Sequence, residues 1–163
     1  MLRGQVERIQ IVTELAEHLR RRGWSMACAE SCTGGGIAAA LTDLAGSSAW
    51  FDRGFVTYSN QAKQEMLGVS AQTLTRHGAV SRETVLEMAT GALLRSQVQL
   101  SVAVSGVAGP GGGTPDKPVG TVWLAWATQD SAVASHRVFS GDRTQVRRAA
   151  VDAALRGLLE RAR

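Results

Sequence analysis

Val6, Ile9, Thr13, Ala16 and Leu19 fall on one face at helical spacing, which predicts an opening helix over 5–22, stopped by Gly23 and packed on a sheet. The apolar run 24–29 reads as a short buried strand. Ile37, Ala38, Leu41 and Leu44 then return to helical spacing, so a second helix is expected over about 35–44. Ser31 therefore stands at a strand-turn-helix junction.

After a turn at Gly46-Ser47-Ser48, residues 51–58 read as the next strand. A short helix after Asn60 carries Lys63 and ends near Gly68, and another short helical piece precedes His77-Gly78. Ser81 is the expected N-cap of a longer helix with Val85, Met88, Ala89, Ala92 and Leu93 on one face. The apolar strand 100–105 runs into the loop 106–118, too rich in glycine and proline for helix or sheet. Strands 120–128 and 132–139, joined by Gln129-Asp130-Ser131, predict a hairpin, and Asp142 or Thr144 opens a last helix to about 161. Strands interleaved with helices and closing on a hairpin predict an α/β fold: a single three-layer α/β/α domain over 1–163 with a mixed, mainly parallel sheet. Ligands of such sheets gather at strand C-terminal ends. The Ser31 turn and the 106–118 loop both leave such ends and are expected to face one pocket.

A chain of 163 residues, 44% hydrophobic, holds one well-packed core and is too short for two ordinary domains. It has no apolar run near 18 residues, and Met1-Leu2-Arg3-Gly4-Gln5 carries no apolar signal region, so a soluble, cytoplasmic protein without a membrane partner is expected. Cys28 and Cys32 form neither a CxxC nor a zinc set and read as reduced thiols. His18, His77 and His136 show no metal-ligand pairing, so no metal is expected. The net charge of +4 comes from scattered arginines, clustered only at Arg20-Arg21-Arg22 and Arg147-Arg148. The first cluster complements the helix dipole ahead of Gly23. With few aromatics and no nucleic-acid motif, no nucleic-acid partner is expected, and an acidic small molecule suits the charge better.

The densest candidate chemistry lies in Ala29-Glu30-Ser31-Cys32-Thr33-Gly34-Gly35-Gly36. Glycines let a ligand approach the backbone, and the first N–H groups of the next helix suit an anion or oxyanion. Ser31 or Thr33 equally serves as an ordinary helix cap. Only two of the eighteen basic residues are lysine, Lys63 and Lys117. A free lysine with a pKa of about 10.4 is protonated at neutral pH. A Ser31-Lys63 pair therefore needs a partly desolvated Lys63, whose neutral amine takes the hydroxyl proton. Tyr58 offers a phenol that can relay a proton, and Asn60 an amide that can orient substrate; ordinary strand-end and capping duty suits both equally. The 106–118 loop matches no standard phosphate motif, although its N–H groups can cradle an anion. Arg143, in Gly141-Asp142-Arg143, suits a phosphate or a salt bridge.

Together these segments resemble the CinA C-terminal domain family, in particular its stand-alone amidase members. The match runs through Ala29-Glu30-Ser31-Cys32-Thr33-Gly34-Gly35, Val56-Thr57-Tyr58-Ser59-Asn60-Gln61-Ala62-Lys63, His77-Gly78-Ala79-Val80-Ser81, Ser105-Gly106-Val107-Ala108-Gly109-Pro110, Lys117-Pro118-Val119-Gly120-Thr121 and Gly141-Asp142-Arg143, six motifs in the family's order. The resemblance implies hydrolysis of the carboxamide of nicotinamide mononucleotide to nicotinate mononucleotide and ammonia, in pyridine-nucleotide recycling. It implies Ser31 as nucleophile, Lys63 as base and Tyr58 as a supporting group. Substrate contacts fall to Thr33, Gly34 and Gly35, whose N–H groups are the expected oxyanion hole, and to Asn60, Ser105, Gly106, Ala108, Gly109 and Arg143. The phosphate is then held by the 106–113 loop or by Arg143. No cofactor is implied, and a homodimer is.

The chain departs from the family pattern in the extra glycine of Pro110-Gly111-Gly112-Gly113 and in Cys28, where a hydroxyl residue is expected. Longer CinA proteins carry an N-terminal domain that this chain is expected to lack, along with its pyrophosphatase activity. Competing readings are a non-catalytic nucleotide-binding regulatory module, an amidohydrolase for the nucleoside or free nicotinamide, and Cys32 as the nucleophile.

Overall fold

Parallel and antiparallel pairing divide the sheet at one strand. β1 (Met26–Glu30) lies between β2 (Phe51–Val56) and β3 (Leu100–Gly106) and is parallel to both; β4 (Thr121–Thr128) runs antiparallel between β3 and β5 (Ala132–Val138). The order is β2-β1-β3-β4-β5. Four of the five strands thus point the same way, the mixed, mainly parallel sheet with a closing hairpin that the chain pattern predicts. These relationships come from a computed structural model that describes residues 2–163; Met1, the first residue of the expected domain span, lies outside them.

β1 is buried throughout because both faces are covered, which suits the small and apolar residues 26–29 that precede its terminal Glu30. Alternation along the strand sends Met26 and Cys28 into one core and Ala27 and Ala29 into the other. The first core lies under α1 (Leu2–Arg22), α2 (Gly36–Thr42) and α6 (Arg143–Ala162), with Leu15, Leu19, Ile37, Leu41, Leu155 and Leu158 at its centre. The second lies under α3 (Asn60–Leu67), α4 (Ala71–His77) and α5 (Arg82–Ser96), built on Leu67, Val85, Met88 and Ala92. At Gly91 α5 passes so close to α3 that a Cβ would stand 2.0 Å from the Leu67 carbonyl oxygen. None of the described helices is long and apolar enough to cross a membrane.

The elements follow the sequence pattern with shifted ends. β1 starts at Met26 rather than at residue 24 because the Trp24 N–H donates to the Leu19 carbonyl (2.9 Å), closing α1 around Gly23 at φ +63°. Ser81 caps α5, accepting from the Thr84 N–H at 3.2 Å. Of the two candidate openers of α6, Asp142 is the N-cap, in a reciprocal capping box with Gln145.

Candidate active site

Ser31 follows β1 directly, and its N–H donates to the Val104 carbonyl of β3 (3.0 Å), fixing the start of the turn at the sheet's C-terminal end. Gly34 and Gly35, at φ +58° and +95°, then bend the chain into α2. Neither Ser31 nor Thr33 caps that helix; its N-cap is Gly35, with no side-chain bond. The α2 terminus is held by Glu30, fully buried at the end of β1. One carboxylate oxygen accepts from the Thr33 hydroxyl (2.6 Å) and the Ile37 N–H (2.8 Å), the other from the Ala38 N–H (3.0 Å) and the Cys28 thiol (3.6 Å). Charge-assisted bonds from unpaired helix N–H groups offset the desolvation of this carboxylate. The α2 amides that sequence reasoning offered to a ligand are thus occupied from within. The signal was an acid at the end of an apolar strand, which must find donors once buried.

Lys63 arrives from the other side of the sheet on the first turn of α3, which Ser59 caps by accepting from the Ala62 N–H. It is only 1% exposed. Its Nζ donates to the Ser31 Oγ at 3.0 Å and to the Thr57 carbonyl at 2.8 Å. Burial pushes the Lys63 pKa below the usual lysine value, against a smaller opposing pull from Cys32. Among the described residues it has no carboxylate partner.

These two side chains open onto a cavity of about 210 Å³. Of the expected substrate contacts, Asn60, Ser105, Gly106, Ala108 and Arg143 line it together with Tyr58 and Cys32. Thr33, Gly34, Gly35 and Gly109 are not among its lining residues. The Thr33 hydroxyl is committed to Glu30, the Gly34 N–H donates to the Ser31 carbonyl (3.0 Å), and the Gly109 carbonyl accepts from Arg143 Nη1 (2.8 Å). Tyr58 is 61% exposed and its hydroxyl accepts from Arg143 Nη2 (2.9 Å), which ties it to the cavity rim. A larger groove of about 510 Å³ runs along β4, β5 and α6, but none of its lining residues pairs a hydroxyl with a buried amine.

Sequence reasoning gave no role to Ala79 and Val80, which line the cavity, or to Arg147, which binds the Ser31 turn from α6. Lys117 Nζ donates to the His77 carbonyl (2.7 Å) and so fastens the segment carrying Ala79 and Val80. Cys32 is 5% exposed, and burial pushes its thiol up to about 11 in spite of the nearby Arg147 and Lys63. At neutral pH it is a protonated thiol, a poor nucleophile. The site therefore offers a buried hydroxyl, an amine biased toward its neutral form, and an arginine at the rim, a combination suited to acyl transfer on an anionic substrate.

The family model described as the CinA C-terminal domain matches residues 8–162. A protein of Escherichia coli strain K12 named nicotinamide-nucleotide amidohydrolase PncC is 52% identical over 153 residues, covering 93% of each chain. A protein of the same name from Pseudomonas putida is 55% identical over 150 residues, 92% of this chain and 94% of its own. Among solved structures, the competence damage-inducible protein A (ComA) of Klebsiella pneumoniae superposes with a TM-score of 0.89 at 44% identity, covering 93% of this chain and 94% of that one.

Proposed function

The chain belongs to the CinA C-terminal domain family, and from that premise we propose that it is a nicotinamide-nucleotide amidohydrolase, converting nicotinamide mononucleotide and water to nicotinate mononucleotide and ammonia. The relatives' names support the substrate class. The observation that carries the chemistry is the 3.0 Å contact between Lys63 Nζ and Ser31 Oγ inside a cavity.

In this reading the neutral Lys63 amine takes the Ser31 proton as Oγ attacks the carboxamide carbon. The tetrahedral intermediate collapses, and the Lys63 ammonium returns the proton to the leaving nitrogen, which departs as ammonia. A nicotinoyl ester remains on Ser31. Water, deprotonated by Lys63, attacks it, and the same proton goes back to Ser31 Oγ as the acid leaves. The Thr57 carbonyl holds Nζ in place during both transfers. Arg143, already bonded to Tyr58 and to the Gly109 carbonyl, makes the rim and the glycine-rich loop one anion site for the phosphate, with Tyr58 in support. Ala79 and Val80 give the pyridine ring an apolar wall. Every proton here is carried by Lys63 or water. We further propose, on the family resemblance, that this chain acts as a single domain in cytoplasmic pyridine-nucleotide recycling and as a homodimer.

The test is ammonia release from nicotinamide mononucleotide in EDTA by wild type, Ser31→Ala and Lys63→Ala. Turnover in wild type alone is the expected result. A folded wild type that binds the nucleotide and releases no ammonia overturns the proposal in favour of a regulatory module.

A further inference from the structure

Arg147 stands on α6, one turn beyond Arg143. Its Nε donates to the Cys32 carbonyl at 3.0 Å and its Nη2 to the Thr33 carbonyl at 3.1 Å, so one rigid fork holds two successive peptides of the nucleophile turn. Gly34 lets it approach: at φ +58°, a Cβ there would lie 3.3 Å from Nη2. Among the described residues Arg147 has no carboxylate partner, so these carbonyls receive its charge.

A trans peptide points its C=O and N–H in opposite directions. With the Cys32 carbonyl turned toward Arg147, the Thr33 N–H points away from α6. With the Ser31 carbonyl held by the Gly34 N–H, the Cys32 N–H is turned away from that bond. Neighbouring amides are committed: Ser31 to Val104, Gly34 to Ser31, Gly36 to Thr33, and Ile37 and Ala38 to Glu30. The Cys32, Thr33 and Gly35 N–H groups have no acceptor among the described residues; Cys32 and Thr33 are buried, at 5% and 1% exposed, whereas Gly35 is half-buried and can meet water. Buried amides without acceptors are uncommon. Two of them, on the residues that immediately follow the nucleophile, are what a developing oxyanion requires.

We infer that the Cys32 and Thr33 N–H groups form the oxyanion hole and that Arg147 is the positioning residue behind both: through the Cys32 carbonyl it sets the Thr33 N–H directly, and through the Thr33 carbonyl it fixes the Thr33-Gly34 peptide, whose Gly34 N–H holds the Ser31 carbonyl and so turns the Cys32 N–H. The inference rests on Ser31 being the nucleophile. It moves the hole one residue back from the 33–35 amides expected from the sequence, and it gives Arg147 a task in turnover without contact with substrate. The guanidinium also withdraws charge from both carbonyls, which strengthens the Thr33 N–H as an oxyanion donor and the Gly34 N–H in its bond to the Ser31 carbonyl.

The experiment measures kcat and KM for nicotinamide mononucleotide in Arg147→Ala and Arg147→Lys, with thermal midpoints. It adds nucleotide affinity in Ser31→Ala and in the Ser31→Ala/Arg147→Ala double variant. Losing aligned oxyanion donors lowers kcat on the order of 10² to 10³-fold. That loss is expected in Arg147→Ala, with KM and the double variant's affinity within about threefold of their references. Arg147→Lys is expected to lose at least about tenfold in kcat, since one ammonium does not reproduce the fork. Added guanidinium ion is expected to restore kcat of Arg147→Ala about tenfold, which a merely structural loss would not allow. A kcat within threefold of wild type in either variant overturns the inference, as does a loss confined to KM. If Ser31→Ala itself turns over normally, the nucleophile assignment has failed first, an outcome distinct from an active Arg147 variant beside an inactive Ser31→Ala.

Discussion

The Lys63 amine and the Ser31 hydroxyl meet at 3.0 Å although they come from opposite faces of the sheet, one on α3 and the other on the turn into α2. Burial lowers the Lys63 pKa, so the native state binds fewer protons than the unfolded chain between the lowered value and the ordinary one. Stability therefore rises with pH through that window, and the penalty is complete below it. On the proposed mechanism activity is expected to rise in the same direction, because its base is the neutral amine. In Lys63→Met the alkaline gain in urea midpoint is expected to vanish together with turnover. A pH-stability profile unchanged from wild type would count against the buried, depressed amine.

Glu30 takes four donors while buried, and Glu30→Gln in either orientation turns its amide N–H₂ against the Ile37 or the Ala38 N–H, neither of which can accept. The expected cost is about 3 kcal/mol, read as a lower urea midpoint, with kcat falling because the Ser31 turn loses its anchor. A midpoint equal to wild type would mean that the carboxylate is dispensable to the turn.

Cys32 is adjacent to Ser31, yet its thiol is pushed up to about 11 by burial. At pH 7.5 its alkylation by iodoacetamide should run roughly a few hundred-fold slower than that of free cysteine, and it should climb about tenfold per pH unit with no plateau below pH 10. Mass spectrometry of the modified peptide gives the rate. Labelling at the free-thiol rate would reopen Cys32 as a nucleophile.

Gly91 couples the fold to the site. Its missing Cβ is what lets α5 approach the Leu67 carbonyl at the end of α3, and α3 carries Lys63. Gly91→Ala is expected to cost about 3 kcal/mol by overpacking. Displacing α3 draws the amine from Ser31, so kcat should fall in the protein that remains folded. Wild-type kcat per folded molecule would separate the helix contact from the chemistry.

The order of helices and strands was legible because periodicity is local, and Ser31 and Lys63 stood out through a glycine-rich turn and the scarcity of lysine. What escaped was set by distant partners. Arg147 reaches Cys32 across 115 positions, and Tyr58 reaches Arg143 across 85. In the sequence Arg147 is half of a charge cluster, and only the packing of α6 beside α2 gives it carbonyls to bind. Glu30 was visible within its motif, but its duty depends on α2 starting within reach of its carboxylate.

Synthesis order adds a consequence. Ser31 and Lys63 leave the ribosome early, but the Ser31 turn is fastened by Val104 on β3 and by Arg147 on α6. A nascent chain that stops short of residue 143 carries both side chains of the proposed pair and none of the last helix's bonds to the Ser31 turn or to Tyr58. Hydrolysis should begin only when that helix docks, so a turnover assay on arrested chains of increasing length would time completion of the molecule.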